Sequence, residues 1–178
     1  MKSYFAEQAL LPTGWARNVR MEISEGNFTS VKDGSPPSGC EVLAGPVLPG
    51  MANLHSHAFQ RAMAGLTETR GSPEDDFWTW RELMYRFVER ITPEQARAIA
   101  LHLYIEMLKH GYTAVGEFHY VHHPAEMLGV HLEAAREAGI AITLLPSLYR
   151  WANFGSRPLA PRQKRFDTTT KQILSFVE

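Results

Sequence analysis

Two histidines separated by a single residue, His55 and His57, are the side chains of this sequence best suited to chemistry. They follow the apolar run Val47 to Leu54, which predicts a strand. Alternate side chains of a strand share one face, so both imidazoles would project in the same direction and could bind one metal ion. His-x-His also occurs by chance, with its rings in solvent or in a hydrogen-bonded niche, and these three residues alone leave that alternative open.

The elements around the pair favour metal binding. After residue 45 the sequence alternates strand, helix, strand, helix, strand, and its apolar strands are Val47–His57, Thr113–Tyr120 and Ile140–Leu148. Strands that alternate with helices predict a parallel sheet, and such sheets collect ligands at the carboxyl ends of their strands. His55 and His57 end the first strand, which is where such a site forms.

Local signals predict the helices that connect these strands. Thr92 as N-cap, Pro93 at the first helical position and Gln95 in a capping box begin one helix, and Gly111 ends it. Its expected apolar stripe consists of Ala96, Ala100, Leu103 and Met107. A second helix is expected at about 124–138, and a third begins near Thr168 or Thr169.

Two further segments complete the expected organisation. Residues 58–91 form an insertion with its own helix, whose packing stripe is Phe77, Trp80, Met84, Phe87 and Ile91. Near the N-terminus, Val19–Ser24 and Phe28–Lys32 alternate as two strands of a hairpin, and residues 33–39 form a loop. The hairpin turn is Glu25-Gly26-Asn27, because Gly and Asn tolerate the positive φ that such turns need.

Composition limits the partners. Lys and Arg number 18 against 19 Asp and Glu, so no excess positive charge attracts nucleic acid or anionic lipid, and we expect a small-molecule partner. Cys40 is the single cysteine, and the N-terminal residues lack the apolar region of a secretory signal, which predicts a cytoplasmic protein. The apolar stretches are shorter than the roughly 18 residues that a membrane span requires.

The remaining histidines are weaker candidates. His119, His122 and His123 follow the second strand, but adjacent histidines that leave a strand are more often loop residues than ligands. Histidines on the predicted helices, at positions 102, 110 and 131, are expected to be solvated. Glu117 lies inside the second strand and would be a buried carboxylate, so it should have a charged or hydrogen-bonded partner.

Longer motifs resemble a known family. The stretch "LPGMANLHSHAFQRAMAG" resembles the first-strand signature of the amidohydrolase superfamily. Together, "DDFWTWRELMYR", "LYIEMLKHGYTAVGEFHYVHH" and "ITLLPSLYR" look like the formimidoylglutamate deiminases of bacterial histidine degradation. The similarity runs from about residue 4 to residue 166. It implies an α/β fold, the first three βα units of a (β/α)₈ barrel over residues 47–178, preceded by part of a small β-sandwich over residues 1–46.

The resemblance also implies a site. One zinc ion is bound by the first-strand pair, here His55 and His57, together with a later His and a later Asp. The zinc-activated water attacks the formimidoyl carbon, and the products are N-formyl-L-glutamate and ammonia. Gln60, Arg81 and Tyr120 fall where the family contacts its substrate, although Arg81 on a solvated helix face and Tyr120 as a core phenol are alternatives.

The resemblance leaves the site incomplete. The expected later ligands and proton-transfer residues lie beyond Glu178, because a (β/α)₈ barrel takes about 250 residues. The connection between His123 and Glu133 is shorter than in the family. Two other functions stay open: a related deaminase acting on a heterocyclic amine or a guanidino compound, and a non-catalytic fragment. The full-length protein is expected to be a homodimer.

Overall fold

The computed structural model describes residues 1–69 and 71–177 and divides the chain into two compact units, Met1–Gly50 and the residues from Met51 onward. The first unit contains the strands β1 (Lys2–Leu11), β2 (Gly14–Ser24), β3 (Asn27–Lys32) and β4 (Glu41–Val42). The strands of the second unit are β5 (Met51–Ser56), β6 (Tyr112–His119) and β7 (Ala141–Pro146). Its helices are α1 (Phe77–Arg90), α2 (Pro93–Lys109), α3 (Glu126–Ala138) and α4 (Thr170–Val177).

The first unit forms one sheet in the order β3-β2-β1-β4, with β2 antiparallel to both β1 and β3. Its core cluster consists of Ala6, Ala9, Val19 and Met21, and Phe5 is also buried. The predicted hairpin is present, but the prediction for Asn27 is wrong. Glu25 and Gly26 carry the positive φ values, 51° and 78°, and Asn27 already pairs with Ser24. The turn therefore has two residues, as suits the twist of a tight hairpin.

The expected β-sandwich segment is a single layer in the residues that the structure describes in this unit. Val47, predicted as the start of the barrel strand, instead makes an isolated parallel bridge with Ala9. Strand β5 begins four residues later, at Met51. The Pro49-Gly50 step separates the two pairings, because proline has no N–H to donate to a ladder.

The second unit contains the parallel sheet that the sequence predicted. Its order is β5-β6-β7, and both pairings are parallel. Helix α2 connects β5 to β6, and α3 connects β6 to β7, so each connection is a βα unit. The predicted alternation of parallel strands and helices is confirmed. The three carboxyl ends therefore lie on one edge, where His55 and His57 stand.

Helix α2 follows its local signals closely. Thr92 accepts from the Gln95 N–H, and the Gln95 side chain accepts from the Thr92 N–H, which completes the predicted capping box. Gly111 follows the helix with φ of 85°, as a C-terminal glycine should. The buried stripe of α2 differs from the predicted one at one position. Tyr104 is fully buried, whereas the predicted Leu103 is only partly buried.

Helix α1 confirms the predicted inserted helix, with Asp76 as its N-cap in a capping box with Thr79. Met84 and Ile91 of the predicted stripe are buried. Phe77 is 60% exposed, so its place in the stripe is wrong. The first turn of the helix protrudes, and Phe77 packs beside Trp78 and Trp80 instead of entering the core. The predicted helices at 124–138 and near Thr169 are observed as α3 and α4.

Candidate metal centre

The two candidate metal ligands face each other at the end of β5. The Nε2 atoms of His55 and His57 are 3.2 Å apart, and the two rings meet edge to face. His55 is exposed and His57 is partly buried, so the nitrogens are accessible. Strand β5 ends at Ser56, which is 5% exposed, and the chain turns into a 3₁₀ helix, Ala58–Met63, directly after His57. The strand end brings the two rings together.

A backbone carbonyl fixes the tautomer of His57. Its Nδ1 lies 2.9 Å from the carbonyl oxygen of Phe118 in β6. A carbonyl oxygen only accepts, so Nδ1 carries the hydrogen and the neutral ring presents the lone pair of Nε2. Ligand histidines in metal sites are held in this way, through a hydrogen bond from the second ring nitrogen. His57 is therefore oriented to bind a metal through Nε2.

The spacing of the pair fits a tetrahedral metal. Two nitrogens bound to one zinc at about 2.0–2.1 Å with a tetrahedral angle lie about 3.4 Å apart. The observed separation of 3.2 Å between the two Nε2 atoms is close to that distance. Within residues 1–69 and 71–177, no group of three or more His, Cys, Asp or Glu side chains could hold a metal ion. The separation of the His55 and His57 nitrogens would therefore suit two of the four ligands of a tetrahedral metal.

Two predicted substrate-contact residues lie beside this pair. The Gln60 amide donates to the Tyr120 hydroxyl at 2.7 Å, and the Tyr120 ring contacts the His57 ring with centroids 5.4 Å apart. Burial raises the pKa of Tyr120 to about 12, so the phenol stays protonated at neutral pH. The hydroxyl therefore still has its hydrogen to donate. Together these residues form a polar rim next to the candidate ligands.

Arg81, the third predicted contact, is not brought into this group. Its guanidinium lies over the Trp78 ring at 4.3 Å and near the Tyr85 ring at 5.5 Å. The buried Nε has no hydrogen-bond partner, and no ion pair of Arg81 occurs in the part of the chain that the structure describes. A cation stacked on aromatic rings without a carboxylate keeps its hydrogen-bonding edge free for an anion.

An aromatic chain connects Arg81 with the histidine pair. Burial raises the pKa of Tyr149, and the nearby positive charge of Arg81 opposes this rise only weakly. The rings of Tyr149 and Tyr120 both meet the Phe166 ring, with centroids 5.3 and 5.5 Å apart. Gln163 is buried and donates to the hydroxyls of Tyr85 and Tyr149. No local pattern in the sequence predicts this network, because its members are far apart in the chain.

Glu117 is buried as predicted and does have a hydrogen-bonded partner. One carboxylate oxygen accepts from the Ala58 N–H at 2.6 Å. Burial raises the pKa of the carboxyl, while hydrogen-bonding groups of Ser56, Ala58 and Tyr104 act in the opposite direction. The Ser56 hydroxyl neighbours this carboxyl across the β5–β6 ladder but is not aligned for a hydrogen bond with it.

The other histidines divide into two classes. His102 and His110 are exposed, as expected for helix surfaces. The prediction that His131 is solvated is wrong, since it has no exposed surface. It packs against His119, with centroids 4.5 Å apart, because α3 turns this face toward the sheet. His131 shares that face with buried Met127, Ala134 and Ala135, a helical spacing that was readable in the sequence.

Family models match both parts of the chain. Residues 1–44 match the N-terminal domain of formimidoylglutamate deiminase HutF, and residues 47–177 match the amidohydrolase family. The chain belongs to the amidohydrolase family. Members of this family typically depend on a metal. The fold of the chain is the N-terminal part of a TIM-barrel amidohydrolase.

The chain is also similar to individual amidohydrolases. The chain is 55% identical over 188 residues to a formimidoylglutamate deiminase from Pseudomonas aeruginosa, an alignment covering all of this chain and 42% of that protein. An amidohydrolase crystal structure from Brucella melitensis superposes with a TM-score of 0.92 at 44% identity, covering 99% of this chain and 42% of that one. The chain thus spans less than half the length of these relatives.

A more distant amidohydrolase shares the fold. A crystal structure of an atrazine chlorohydrolase mutant from Arthrobacter aurescens, complexed with zinc and atraton, superposes with a TM-score of 0.68 at 16% identity. The superposition covers 99% of this chain and 41% of that chain.

Among the described residues, no helix is long and apolar enough to cross a membrane.

Proposed function

We propose that this amidohydrolase is a zinc-dependent deiminase that hydrolyses N-formimidoyl-L-glutamate to N-formyl-L-glutamate and ammonia in histidine degradation. The observation that carries the proposal is the pair of Nε2 atoms 3.2 Å apart at the end of β5. The 55% identity to a formimidoylglutamate deiminase supports the substrate. Residues 1–46 are proposed as part of a small β domain and residues 47–178 as part of the barrel.

His55 and His57 are the residues that would hold the zinc. A bound zinc lowers the pKa of a coordinated water to about 7 and so supplies a hydroxide at neutral pH. The Phe118 carbonyl keeps Nδ1 of His57 protonated, which directs the Nε2 lone pair toward His55. The remaining ligands and the proton-transfer residues are proposed to lie outside the described residues.

Gln60 and Tyr120 would orient the substrate beside the zinc. The Tyr120 hydroxyl accepts from Gln60 and is free to donate its own hydrogen to a substrate oxygen. Both residues are partly buried, so a bond to the substrate forms with little competition from water. We assign them a positioning role at the reacting end of the substrate.

Arg81 would bind a carboxylate of the substrate. Formimidoylglutamate has two carboxylates, and a planar guanidinium binds such a group through two parallel hydrogen bonds. Trp78 and Tyr85 cover the faces of the guanidinium and leave its edge for that contact. A substrate without a carboxylate, such as a heterocyclic amine, gains nothing from Arg81, which is the basis for discriminating against such substrates.

The test is ammonia release by the full-length protein from formimidoylglutamate, guanine and a guanidino acid. We expect release from formimidoylglutamate only, its loss after chelation and its return with zinc. Arg81→Ala should reduce kcat/KM by about 10- to 100-fold, because a hydrogen bond to a charged group contributes about 1.5–3 kcal/mol. Arg86→Ala is the matched control, since Arg86 is exposed on the same helix.

Each other result decides against part of the proposal. Release from guanine or the guanidino acid alone would favour a related deaminase. No release from any compound by the zinc-loaded protein would favour a non-catalytic chain. Equal activity of Arg81→Ala and wild type would remove Arg81 from the site.

A further inference from the structure

The strand that ends in the histidine pair is irregular just before it. Between Asn53 and Ser56, β5 advances three residues, while its partner β6 advances two, from Val115 to Glu117. An extra residue of this kind is a β-bulge, which bends the strand and leaves a residue out of the ladder. The irregularity includes His55, so regular ladder hydrogen bonds alone do not set the position of the pair.

Side chains hold the backbone on both sides of this bulge. Before it, the His55 N–H donates to the Asn53 side-chain oxygen at 3.1 Å. After it, the Ala58 N–H donates to the Glu117 carboxylate at 2.6 Å. Ala58 directly follows His57 and has no exposed surface. The second of these bonds therefore fixes the peptide on which the His57 ring depends.

Placing the Glu117 carboxylate where it can accept this hydrogen bond is energetically unfavourable in itself. The carboxylate has no exposed surface, and burying such a group is unfavourable unless a hydrogen bond compensates. Its other oxygen has no aligned partner among the described residues. The accepting oxygen of Glu117 is directed at the backbone next to a candidate ligand.

We propose that Glu117 is a positioning residue, which sets His57 for metal binding by holding the Ala58 N–H. The proposal rests on the metal site described under Proposed function. The length of the Glu117 side chain is the property that matters, since its carboxylate must extend from β6 to the turn after β5. Reach and charge are separable, because two conservative substitutions each remove one and keep the other.

The experiment compares Glu117→Gln with Glu117→Asp in the full-length protein. Gln keeps the length of the side chain and a carbonyl oxygen that accepts, but it has no charge. Asp keeps the charge but is shorter by one carbon–carbon bond, about 1.5 Å, so it does not reach the Ala58 N–H. The readouts are the zinc dissociation constant, from competition with a chelator, and the hydrogen-exchange rate of the Ala58 amide.

We expect the Gln variant to bind zinc within about threefold of wild type and to keep slow exchange at Ala58. The Asp variant should bind roughly 10- to 100-fold more weakly, the usual effect of losing a group that supports a ligand, and should exchange faster. Val130→Ala is the control for core damage, because Val130 is buried in α3 and should lower only the melting temperature.

Three outcomes would overturn the proposal. Weak binding by Gln with normal binding by Asp would show that charge matters and reach does not. Normal binding by both would show no role. Equal losses of zinc affinity in both Glu117 variants, or a matching loss in Val130→Ala, would show a general effect of core packing. If His57→Ala keeps its zinc, the metal site itself is wrong, whereas the exchange rate at Ala58 still reports whether Glu117 holds that amide.

Discussion

Two groups of histidines lie in the second unit and differ in almost every physical respect. His55 and His57 stand at the accessible end of β5 with their Nε2 atoms 3.2 Å apart. His119 ends β6, His122 lies in the loop that follows and His131 lies in α3, and each is at most 3% exposed. In the buried group the close contacts are between ring faces and edges, with centroids 4.5 and 5.4 Å apart.

The hydrogen bonds explain why only one group resembles a metal site. In the buried group, Nε2 of His119 and of His122 donates to the carbonyls of Val121 and Ser147. Nδ1 of His131 pairs with the Tyr104 hydroxyl at 3.3 Å. Burial lowers the pKa of all three rings, so they are neutral packing groups. Accessible and convergent nitrogens distinguish a ligand pair from a set of adjacent rings.

The largest expected difference between the groups is in zinc content. His57→Ala should weaken zinc binding by more than about 100-fold, because losing a ligand costs more than losing a group that supports one. His131→Leu should bind zinc as wild type does. Metal analysis after dialysis against a weak chelator measures both variants, with circular dichroism to verify folding. Zinc retained by His57→Ala, or lost from His131→Leu, would reverse the assignment of the two groups.

The buried group should make the protein sensitive to acid. Burial lowers the pKa of His131 to about 4 and that of His119 to about 2, against 6.5 for a free ring. The unfolded chain therefore binds protons more readily, and stability that is complete above pH 6.5 is lost progressively as the pH falls from 6.5 to each folded pKa. For His131 the loss in the free energy of unfolding by pH 4 is about 3 kcal/mol.

Urea unfolding at pH 7, 5.5 and 4 measures this loss. His131→Leu should flatten the decline between pH 6.5 and pH 4, since the leucine binds no proton. The exposed His102 provides the control, and His102→Ala should decline as wild type does. A decline as steep in His131→Leu as in wild type would assign the acid sensitivity to other groups.

Much of this difference could not be predicted from the sequence. Local signals sufficed for α2, where Thr92 and Gln95 form the capping box that they predict. Local spacing also predicted that the rings of His55 and His57 lie close together, because a single residue separates them, while their binding of a metal stays a prediction. The partner of His131 is 27 residues away, and that of Ala58 is 59 residues away. Those contacts depend on how α2 packs on α3 and how β5 pairs with β6, which no local pattern specifies.

The site was predictable to the same extent. The resemblance to a family predicts Gln60 and Tyr120 as substrate contacts, and the structure joins them by a hydrogen bond 2.7 Å long. The resemblance also predicts Arg81, which lies in an aromatic cluster with Trp78 and Tyr85. Its assignment as a substrate contact stays a prediction. A motif identifies residue types, whereas distances between elements come only from the packed fold.

The smallest expected effect comes from Tyr104, which stands between the two groups. Its hydroxyl pairs with His131 and also opposes the rise that burial causes in the pKa of Glu117. The Glu117 carboxyl in turn accepts from the Ala58 N–H. Tyr104→Phe should cost about 1 kcal/mol of unfolding free energy, the usual worth of one hydrogen bond. Zinc affinity should not change, because the bond from Glu117 to Ala58 remains. A drop in zinc affinity beyond threefold would show that the buried histidines and the ligand pair are coupled through Glu117, and the two groups would then have to be treated as one network.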